Sequence, residues 1–271
     1  MERIQSAIEK ARATRNGAPA RSGPRSPNPP PRQHGIRDAW AGLREWAPSA
    51  RVMANNRIVT FAGGADATPF DLLRTRILQQ MRANNWRRLA ITSPGSDCGK
   101  TTICANLAFS LARQGDIQSV VIELDMRRPA LGRTLGLEAE PMQLSQALDG
   151  TDDIAQHMVR YGDNLAFGFS RAAIRNSSEL LQSAKLADVL ADYEARFAPT
   201  ITIFDMPPMQ ASDDMLGFAG KVDCVLLLAA AERSSIEETD TCERDLAEQT
   251  NVLGIVLNKC RYPEQSYGYY A

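Results

Sequence analysis

The 271-residue sequence contains little of what metal centres and disulfide frameworks are built from. It has two histidines and five cysteines, and no Cys-x-x-Cys pair occurs. Structural zinc sites and disulfide scaffolds need paired or closely spaced ligands, so this composition argues against both. An excess of either charge is also missing, because 31 basic and 32 acidic residues give a net charge of -1. Without a positive excess, we expect no nucleic-acid partner.

Long apolar segments are absent as well. The longest apolar run, residues 225–231, is far shorter than the roughly 18–20 residues that span a bilayer. The first residues, Met1 to Ile4, lack the apolar core of a secretory signal. We therefore expect a cytoplasmic protein. An apolar content of 44% supports one sizeable α/β domain with appendages.

The most informative segment of the chain is residues 93–102, SPGSDCGKTT. An apolar run, residues 88–91, precedes it, and residues 103–113 repeat apolar side chains at helical spacing. A loop with Gly-Lys-Thr between a strand and a helix cradles phosphates with its backbone N–H groups, while the lysine contacts phosphate oxygens and the hydroxyl ligates Mg²⁺. The predicted nucleotide-binding residues are Gly95, Ser96, Asp97, Cys98, Gly99, Lys100, Thr101 and Thr102.

Acidic residues follow two further apolar runs. Glu123 and Asp125 end the segment 119–125, and Asp205 ends the segment 201–205 before two prolines. Carboxyl ends of parallel strands share one sheet edge, and alternate residues share one side of a strand, so all three should converge on the loop. Carboxylates hold Mg²⁺ and orient or deprotonate an attacking hydroxyl. We predict Lys100, Asp125, Glu123 and Asp205 as catalytic residues, and Thr101, Asp205 and Glu123 as metal ligands.

Strand and helix patterns alternate along residues 56–260. This alternation predicts an α/β domain with a mostly parallel sheet and helices on both faces, and the phosphate loop makes it P-loop NTPase-like. Asn176 and Glu179 predict a capping box that opens one of the helices. Besides the segments above, the predicted helices are residues 69–83, 144–148, 176–196 and 234–249, and the predicted strands are residues 165–168, 222–229 and 252–257.

The two ends of the chain differ from this core in composition. Residues 1–16 predict a short amphipathic helix, and residues 17–55 a disordered Pro/Arg/Ser-rich linker with a candidate docking segment around Trp40 and Trp46. Residues 261–271 predict a flexible tail because proline, glycine and serine separate its tyrosines. A mobile tail can present hydroxyls to an active site, although packing on a partner is an alternative. Four of six tyrosines lie there: Tyr262, Tyr267, Tyr269 and Tyr270.

On these motifs, residues 68–271 resemble the bacterial tyrosine kinases of capsule and exopolysaccharide synthesis, in their stand-alone cytoplasmic form. The family's Walker A loop corresponds to residues 93–102, its acidic second motif to 123–127 and its Walker B motif to 203–208. Its Asn-x-Ser-Glu-Leu-Leu helix start corresponds to residues 176–181, and its tyrosine cluster to the tail. Glu123 replaces an aspartate of the second motif. Of the oligomerising Glu-x-x-Arg-x-x-Arg helix, only Arg74 remains.

The resemblance implies ATP and Mg²⁺ as cofactors, autophosphorylation of the tail tyrosines, and contact of Asn258 with adenine. It also implies a membrane polysaccharide co-polymerase as partner, which would recruit the protein to the inner face of the plasma membrane. A cognate phosphatase and a homo-oligomer belong to the same expectation. The function that it implies is regulation of exopolysaccharide or capsule polymerisation and export.

Two alternatives stay open from the sequence. A partition-type positioning ATPase would hydrolyse ATP with water, but such proteins usually carry a second lysine early in the loop, where this chain has Gly95 and Ser96. A catalytically weak ATP-binding regulator of the co-polymerase is the other, because Glu123 and the altered oligomerising helix depart from the kinase pattern. The His-Arg-Asp and Asp-Phe-Gly elements of eukaryotic-type kinases are absent, which excludes that fold.

Overall fold

The structure is a computed structural model and describes residues 33–261. The helix predicted over residues 1–16, the linker up to residue 32 and the four tail tyrosines lie outside the described residues. Within the described range the strands are Arg44–Glu45 (β1), Arg88–Thr92 (β2), Ser119–Glu123 (β3), Met158–Tyr161 (β4), Leu165–Gly168 (β5), Ile201–Asp205 (β6), Cys224–Ala230 (β7) and Asn251–Asn258 (β8).

The helices of the same range surround these strands. They are Gln33–Ala41 (α1), Ala50–Asn55 (α2), Val59–Ala62 (α3), Thr68–Asn84 (α4), Lys100–Ala112 (α5), Leu131–Thr134 (α6), Leu144–Leu148 (α7), Ser177–Gln182 (α8), Ala184–Phe197 (α9), Asp214–Ala219 (α10) and Ile236–Ala247 (α11). Short 3-10 helices cover Ala65–Ala67 and Ile154–His157. None of the helices between residues 33 and 261 is long and apolar enough to cross a membrane.

The strands form one sheet in the order β1-β4-β5-β3-β6-β2-β7-β8. Every neighbouring pair is parallel except β4 and β5, which are antiparallel. Asp205 is the register partner of Glu123 on one side and of Ile91 on the other. The carboxyl ends of β2, β3 and β6 therefore meet at one edge. The prediction of a mostly parallel α/β sheet is confirmed.

Each central strand sends alternate side chains into two separate cores. On β2, Leu89 and Ile91 join the core that contains α4 and α5, whereas Ala90 joins the core that contains α9, α10 and α11. Residues 103–111 of α5 are all buried, which explains why this helix is apolar on nearly every side. Helices therefore cover both faces of the sheet, as predicted.

The sequence predicted that the packed domain starts at residue 56, but in the structure it starts earlier. Trp40 is buried, donates its indole N–H to the Phe197 carbonyl at 2.8 Å and meets the Phe197 ring edge-on. Trp46 is partly buried and packs against Phe109 and Phe167. The predicted linker and docking segment are therefore wrong for residues 33–55. Burial of these aromatic side chains within the chain orders a segment whose composition alone suggested a linker.

The helix predicted over residues 176–196 is two helices, α8 and α9. Ser183 between them is extended, and its Oγ accepts a hydrogen bond from the Leu186 N–H at 3.2 Å as the cap of α9. Asn176 precedes α8 without a side-chain cap, so the capping box predicted there is wrong. A capping box forms instead at α11, where Ser235 and Glu238 each bond the other's backbone N–H.

Candidate functional site

A cleft of about 410 Å³ opens at the sheet edge where β2, β3 and β6 end. Loop residues between Ser96 and Thr102 line it, together with Asp125 from the segment after β3. Pro207 and Pro208, which follow Asp205, complete this part of the lining. Three regions that are distant in the sequence therefore form one concave site, of a size suited to a small ligand.

The loop ahead of α5 has a backbone that depends on glycine. Gly99 has φ +93°, in the left-handed region, and helix α5 begins at the next residue, Lys100. A Cβ atom at Gly99 would lie 2.5 Å from Nδ2 of Asn258, closer than atoms can approach. That Nδ2 donates a hydrogen bond to the Cys98 carbonyl at 2.8 Å. The structure thus places Asn258 against the loop. The loop leads into the amino end of a 13-residue helix, and such a helix end favours the binding of anions.

Within the loop, Gly95 and Cys98 contribute to its internal structure. The Cys98 side chain is buried, and its Sγ lies 3.3 Å from the Gly95 carbonyl. Asp97 has a left-handed backbone with φ +60° and lies 3.5 Å from Arg233 across an exposed ion pair. Thr101 and Thr102 belong to the first turn of α5 and line the cleft. The structure therefore places the predicted loop residues around one cleft. Six of the eight line it, and Gly95 and Cys98 do not.

Lys100 places a nearly buried ammonium group in this site. It is 7% exposed, and its Nζ donates to Ser93 Oγ at 3.2 Å. Its positive charge acts on the carboxylates of both Asp125 and Asp205, where it opposes the effect of burial on their pKa values. The lysine and the two aspartates therefore form one electrostatic unit, as the sequence predicted.

Asp205 is the least satisfied polar group of the site. Its side chain is fully buried, and neither carboxylate oxygen has a hydrogen-bond partner of normal geometry among the described residues. The Thr101 hydroxyl and the Cys104 thiol lie close enough to lower its pKa, but without the distance and angle of a hydrogen bond. Burial raises the pKa of Asp205 to about 6, and this rise is partly offset by the nearby Thr101 hydroxyl and Lys100 charge. A buried carboxylate without partners is costly, and a divalent cation would supply what it lacks.

The residues around Asp205 fit Mg²⁺ better than a cation that needs an all-protein cage. Between residues 33 and 261, no three His, Cys, Asp or Glu side chains are grouped so as to hold a metal ion. Mg²⁺ typically takes only one or two protein ligands and completes its shell with water and phosphate oxygens. Asp205 and the neighbouring Thr101 hydroxyl could serve as such a pair of ligands.

Asp125 also lines the cleft. Its Oδ1 accepts a hydrogen bond from the Arg128 N–H at 3.1 Å, and its own N–H donates to the Asp205 carbonyl at 3.0 Å. Burial raises the pKa of this carboxyl group, with the charge of Lys100 acting in the opposite direction. A carboxylate with a raised pKa beside a cation can accept a proton from a hydroxyl group.

Glu123 does not reach the cleft, which corrects its prediction as a catalytic residue and metal ligand. Its Oε1 accepts from the Ala130 and Leu131 N–H groups at 2.6 and 2.7 Å, and its Oε2 from the Ser170 N–H at 3.1 Å. Burial raises its pKa to about 8. Glu123 and Asp125 were predicted to lie on the same side of one strand, but β3 ends at Glu123 and Asp125 lies beyond it. Beyond it, two successive N–H groups bond the same carbonyl, that of Asp205.

Three arginines of the cleft were not predicted as site residues. Arg127, Arg128 and Arg133 line it alongside the loop. Arg127 lies 3.4 Å from the buried carboxylate of Asp214 and donates to Ser178 Oγ at 3.0 Å. The sequence signal was the Arg-Arg pair directly after the second acidic motif.

A glycine-lysine-threonine loop at a helix start, beside an unpartnered strand-end aspartate of a parallel sheet, defines a P-loop nucleotide-binding protein. The family described as the CobQ/CobB/MinD/ParA nucleotide binding domain matches residues 89–267, about two thirds of the chain. The chain belongs to this family. The prediction of a P-loop fold is thereby confirmed.

Individual relatives are bacterial. AmsA of Erwinia amylovora is 28% identical over 228 residues, which cover 81% of this chain but only 30% of AmsA. The tyrosine-protein kinase YwqD of Bacillus subtilis is 27% identical over 232 residues, covering 82% of this chain and 93% of YwqD. The kinase domain of the Escherichia coli tyrosine kinase ETK superposes with a TM-score of 0.67 at 25% identity, covering 84% and 88% of the two chains. These relatives confirm the resemblance to bacterial tyrosine kinases.

Proposed function

We propose that this chain is an ATP- and Mg²⁺-dependent protein-tyrosine kinase. The observation that carries the proposal is the buried carboxylate of Asp205, on which neither oxygen has a hydrogen-bond partner of normal geometry in the described structure. It lies beneath the cleft floor formed by Thr101 and Pro207, close enough to Lys100 for the lysine charge to lower its pKa. The likeness to YwqD over 93% of its length supports tyrosine as the acceptor. The proposed acceptors are the tail tyrosines, Tyr262, Tyr267, Tyr269 and Tyr270.

The loop and α5 would bind the phosphoryl donor. The N–H groups of residues 95–102 surround the phosphates, and Lys100 neutralises the charge on the transferred group. Asn258 holds the loop through Cys98, and its Oδ1 accepts no hydrogen bond from the described residues. That oxygen can accept one from the adenine amino group. Each of these contacts binds or orients the donor before transfer.

Thr101 and Asp205 would hold Mg²⁺. When bound, the ion neutralises phosphate charge and thereby favours transfer. Glu123 has no part in this proposal, because its carboxylate is occupied by three backbone N–H groups. The protein's own contribution is a buried carboxylate placed next to the first turn of α5.

Asp125 would receive the proton of the acceptor hydroxyl. The tyrosine oxygen bonds to the γ-phosphorus, the bond from that phosphorus to the β,γ-bridging oxygen breaks, and ADP leaves with the electron pair. The hydroxyl proton passes to Asp125, whose pKa is raised by burial. Rate enhancement then comes mainly from positioning and charge stabilisation.

The proposed biological role is control of exopolysaccharide or capsule polymerisation and export. The partner would be the cytoplasmic segment of a membrane polysaccharide co-polymerase, which recruits the kinase to the inner face of the plasma membrane. A cognate phosphatase would return the tail to its unmodified state. A homo-oligomer is also proposed, but Arg74 already donates to the Ser110 carbonyl at 3.0 Å within the chain.

Mass spectrometry after incubation with Mg-ATP tests the proposal. The purified chain is incubated with and without the cytoplasmic segment of a candidate partner, and modified residues are mapped. We expect phosphotyrosine in the tail, its loss in Lys100→Met, and its retention in Lys185→Met, which alters an exposed lysine of α9. ATP hydrolysis with an unmodified tail would favour the partition-type ATPase. ATP binding without turnover would favour the regulator, and either outcome rejects the kinase.

A further inference from the structure

The cleft carries more positive charge than the phosphoryl donor site uses. The segment between β3 and α6 contributes Arg127 and Arg128 to the lining, and Arg133 follows from α6. Arg127 is already neutralised by Asp214, which is fully buried and also accepts a hydrogen bond from Ser177 at 2.7 Å. Its guanidinium therefore serves to join this segment to α8 and α10.

Arg128 and Arg133 differ from Arg127. All three are exposed, but within residues 33–261 neither the Arg128 nor the Arg133 guanidinium makes an ion pair or a side-chain hydrogen bond. The charge of Arg128 does act on the nearby Asp125 carboxyl group. A guanidinium offers a planar set of donors that matches a carboxylate or a phosphate with two parallel hydrogen bonds. Two such groups lining a cleft are equipped to bind an anion.

The backbone that carries the two arginines is held in place. Glu123 accepts hydrogen bonds from the N–H groups of Ala130 and Leu131, which lie between Arg128 and Arg133 in the sequence. The Arg128 N–H is itself held by Asp125 Oδ1 at 3.1 Å. The arginines therefore start from a fixed base, so less conformational freedom of the backbone is lost when an anion binds.

The position of Arg128 indicates which anion this is. In the proposed function, the donor phosphates are already bound by the loop N–H groups, by Lys100 and by the Mg²⁺ that Asp205 would hold. Arg128 instead adjoins Asp125 through its backbone N–H. In the proposed function, on which this inference rests, Asp125 receives the proton of the acceptor hydroxyl. We propose that Arg128 and Arg133 bind an anionic group of the acceptor segment, a carboxylate or a phosphate monoester close to the tyrosine being phosphorylated.

The tail can supply both kinds of anion, a carboxylate from its sequence and a phosphate once one of its tyrosines is phosphorylated. Glu264 lies between Tyr262 and Tyr267, and Tyr269 and Tyr270 follow at short spacing. The first tyrosine to be phosphorylated would place a phosphate monoester next to the remaining ones. Arginine recognition would then favour further phosphorylation of a tail that already carries one phosphate.

Steady-state kinetics on peptides can test this recognition with the full chain. The four tail tyrosines of the full chain are first replaced with phenylalanine so that its own tail cannot accept phosphate, and no residue named in the cleft lining is altered. Three acceptor peptides span residues 261–271: the natural sequence, one with Glu264→Gln, and one with Glu264→Gln that also carries phosphate on Tyr269. The matched control is Arg87→Gln, an exposed arginine just before β2, at the other end of that strand from the loop.

We expect Arg128→Gln and Arg133→Gln each to raise the KM for the natural and phosphorylated peptides by about 10-fold. The KM for ATP should stay within about twofold, and Arg87→Gln should change neither constant. An arginine effect that is lost with the unphosphorylated Glu264→Gln peptide identifies the carboxylate as one source. If the arginine effect returns with the Glu264→Gln peptide that carries phosphate on Tyr269, the phosphate is a second anion that the arginines bind. An equal rise in the KM for ATP, or an arginine effect independent of both anions, overturns the inference.

Peptide binding without ATP separates this inference from the proposed function. Fluorescence anisotropy of the labelled phosphopeptide gives a Kd, which should rise about 10-fold in both arginine variants and not in Arg87→Gln. If the arginines control binding but no phosphate is transferred, the anion site stands and the kinase proposal fails. If phosphate is transferred and the arginines affect neither Kd nor KM, the kinase proposal stands and the anion site is rejected.

Discussion

Two buried carboxylates at the ends of neighbouring strands have opposite surroundings. Glu123 ends β3 and Asp205 ends β6, and they are register partners in the sheet. Both are fully buried, and burial raises the pKa of each. Glu123 accepts three backbone hydrogen bonds, whereas neither oxygen of Asp205 has a partner among the described residues.

In the proposed function, this difference separates the structural role of Glu123 from the metal-binding role of Asp205. A buried carboxylate with satisfied oxygens stabilises the backbone that satisfies it. A buried carboxylate without partners lowers stability until a ligand supplies them. The sequence could not distinguish the two, because both residues follow an apolar strand and carry the same functional group.

The largest expected effect is the loss of phosphotransfer in Asp205→Asn. The amide keeps the size of the side chain but removes the charge that the proposed Mg²⁺ site requires, so tail phosphorylation should slow by at least about 1000-fold. Phosphotyrosine formation over time measures this, with circular dichroism to verify folding. Asp163→Asn, which alters a fully exposed carboxylate, serves as the control. Activity above a tenth of the parent's would contradict the assignment of Asp205.

The next largest effect is on stability, at Glu123. Glu123→Ala should lower the free energy of unfolding by roughly 3 to 5 kcal/mol, because two buried N–H groups and one half-buried N–H group lose their acceptor. Urea unfolding measures this loss. Glu123→Gln should cost about half as much, since its oxygen can still accept from Ala130 and Leu131 while its NH₂ group faces the Ser170 N–H. In that variant, Mg²⁺-dependent nucleotide affinity should stay within about threefold. A loss as large as in Asp205→Asn would restore Glu123 as a metal ligand.

What the sequence predicted correctly depends on local patterns. Residues 144–148 form a helix and residues 165–168 a strand with the predicted bounds, and the phosphate loop lies between its predicted strand and helix. Periodicity and turn chemistry over a few residues determine such elements. The meeting of Lys100, Asp125 and Asp205 followed from one further rule, that parallel strands end at a common edge.

What the sequence missed depends on distant partners. Glu123 receives one of its hydrogen bonds from Ser170, 47 residues away, and Trp40 bonds to Phe197, 157 residues away. No pattern within either segment contains that information. The same holds for Arg127, whose pairing with Asp214 spans 87 residues and distinguishes it from its neighbour Arg128.

A smaller effect is expected in the pH dependence of stability. Burial raises the pKa of Asp205 from 3.8 to about 6, so between these values the folded chain holds a proton that the unfolded chain releases. Stability should therefore fall as pH rises through this window, by about 2 to 3 kcal/mol from this residue. Urea unfolding at pH 4 and pH 7 measures the fall.

The contribution of Asp205 is isolated by subtraction. Glu123, with a pKa raised to about 8 mainly by burial and further by the charge of Asp205, lowers stability over a wider pH range in the same direction. Parent and Asp205→Asn are therefore compared in a Glu123→Gln background, where this coupled group is absent. The loss between pH 4 and pH 7 should be smaller by about 2 to 3 kcal/mol in Asp205→Asn than in the parent. Mg²⁺ with ADP should stabilise the parent more at pH 7 than at pH 5. Identical pH profiles for parent and variant would show that Asp205 already has a partner.

The smallest expected effect is at two helix starts, one with and one without a side-chain hydrogen bond to the backbone. Ser183 Oγ accepts a hydrogen bond from the Leu186 N–H at the start of α9, whereas Asn176 makes no such bond at the start of α8. Ser183→Ala should therefore cost about 1 kcal/mol of unfolding free energy, and Asn176→Ala no more than about 0.3 kcal/mol. Thermal and urea unfolding of the two variants measure the difference. Equal losses would mean that residue type, rather than the observed hydrogen bond, determines the contribution of a cap.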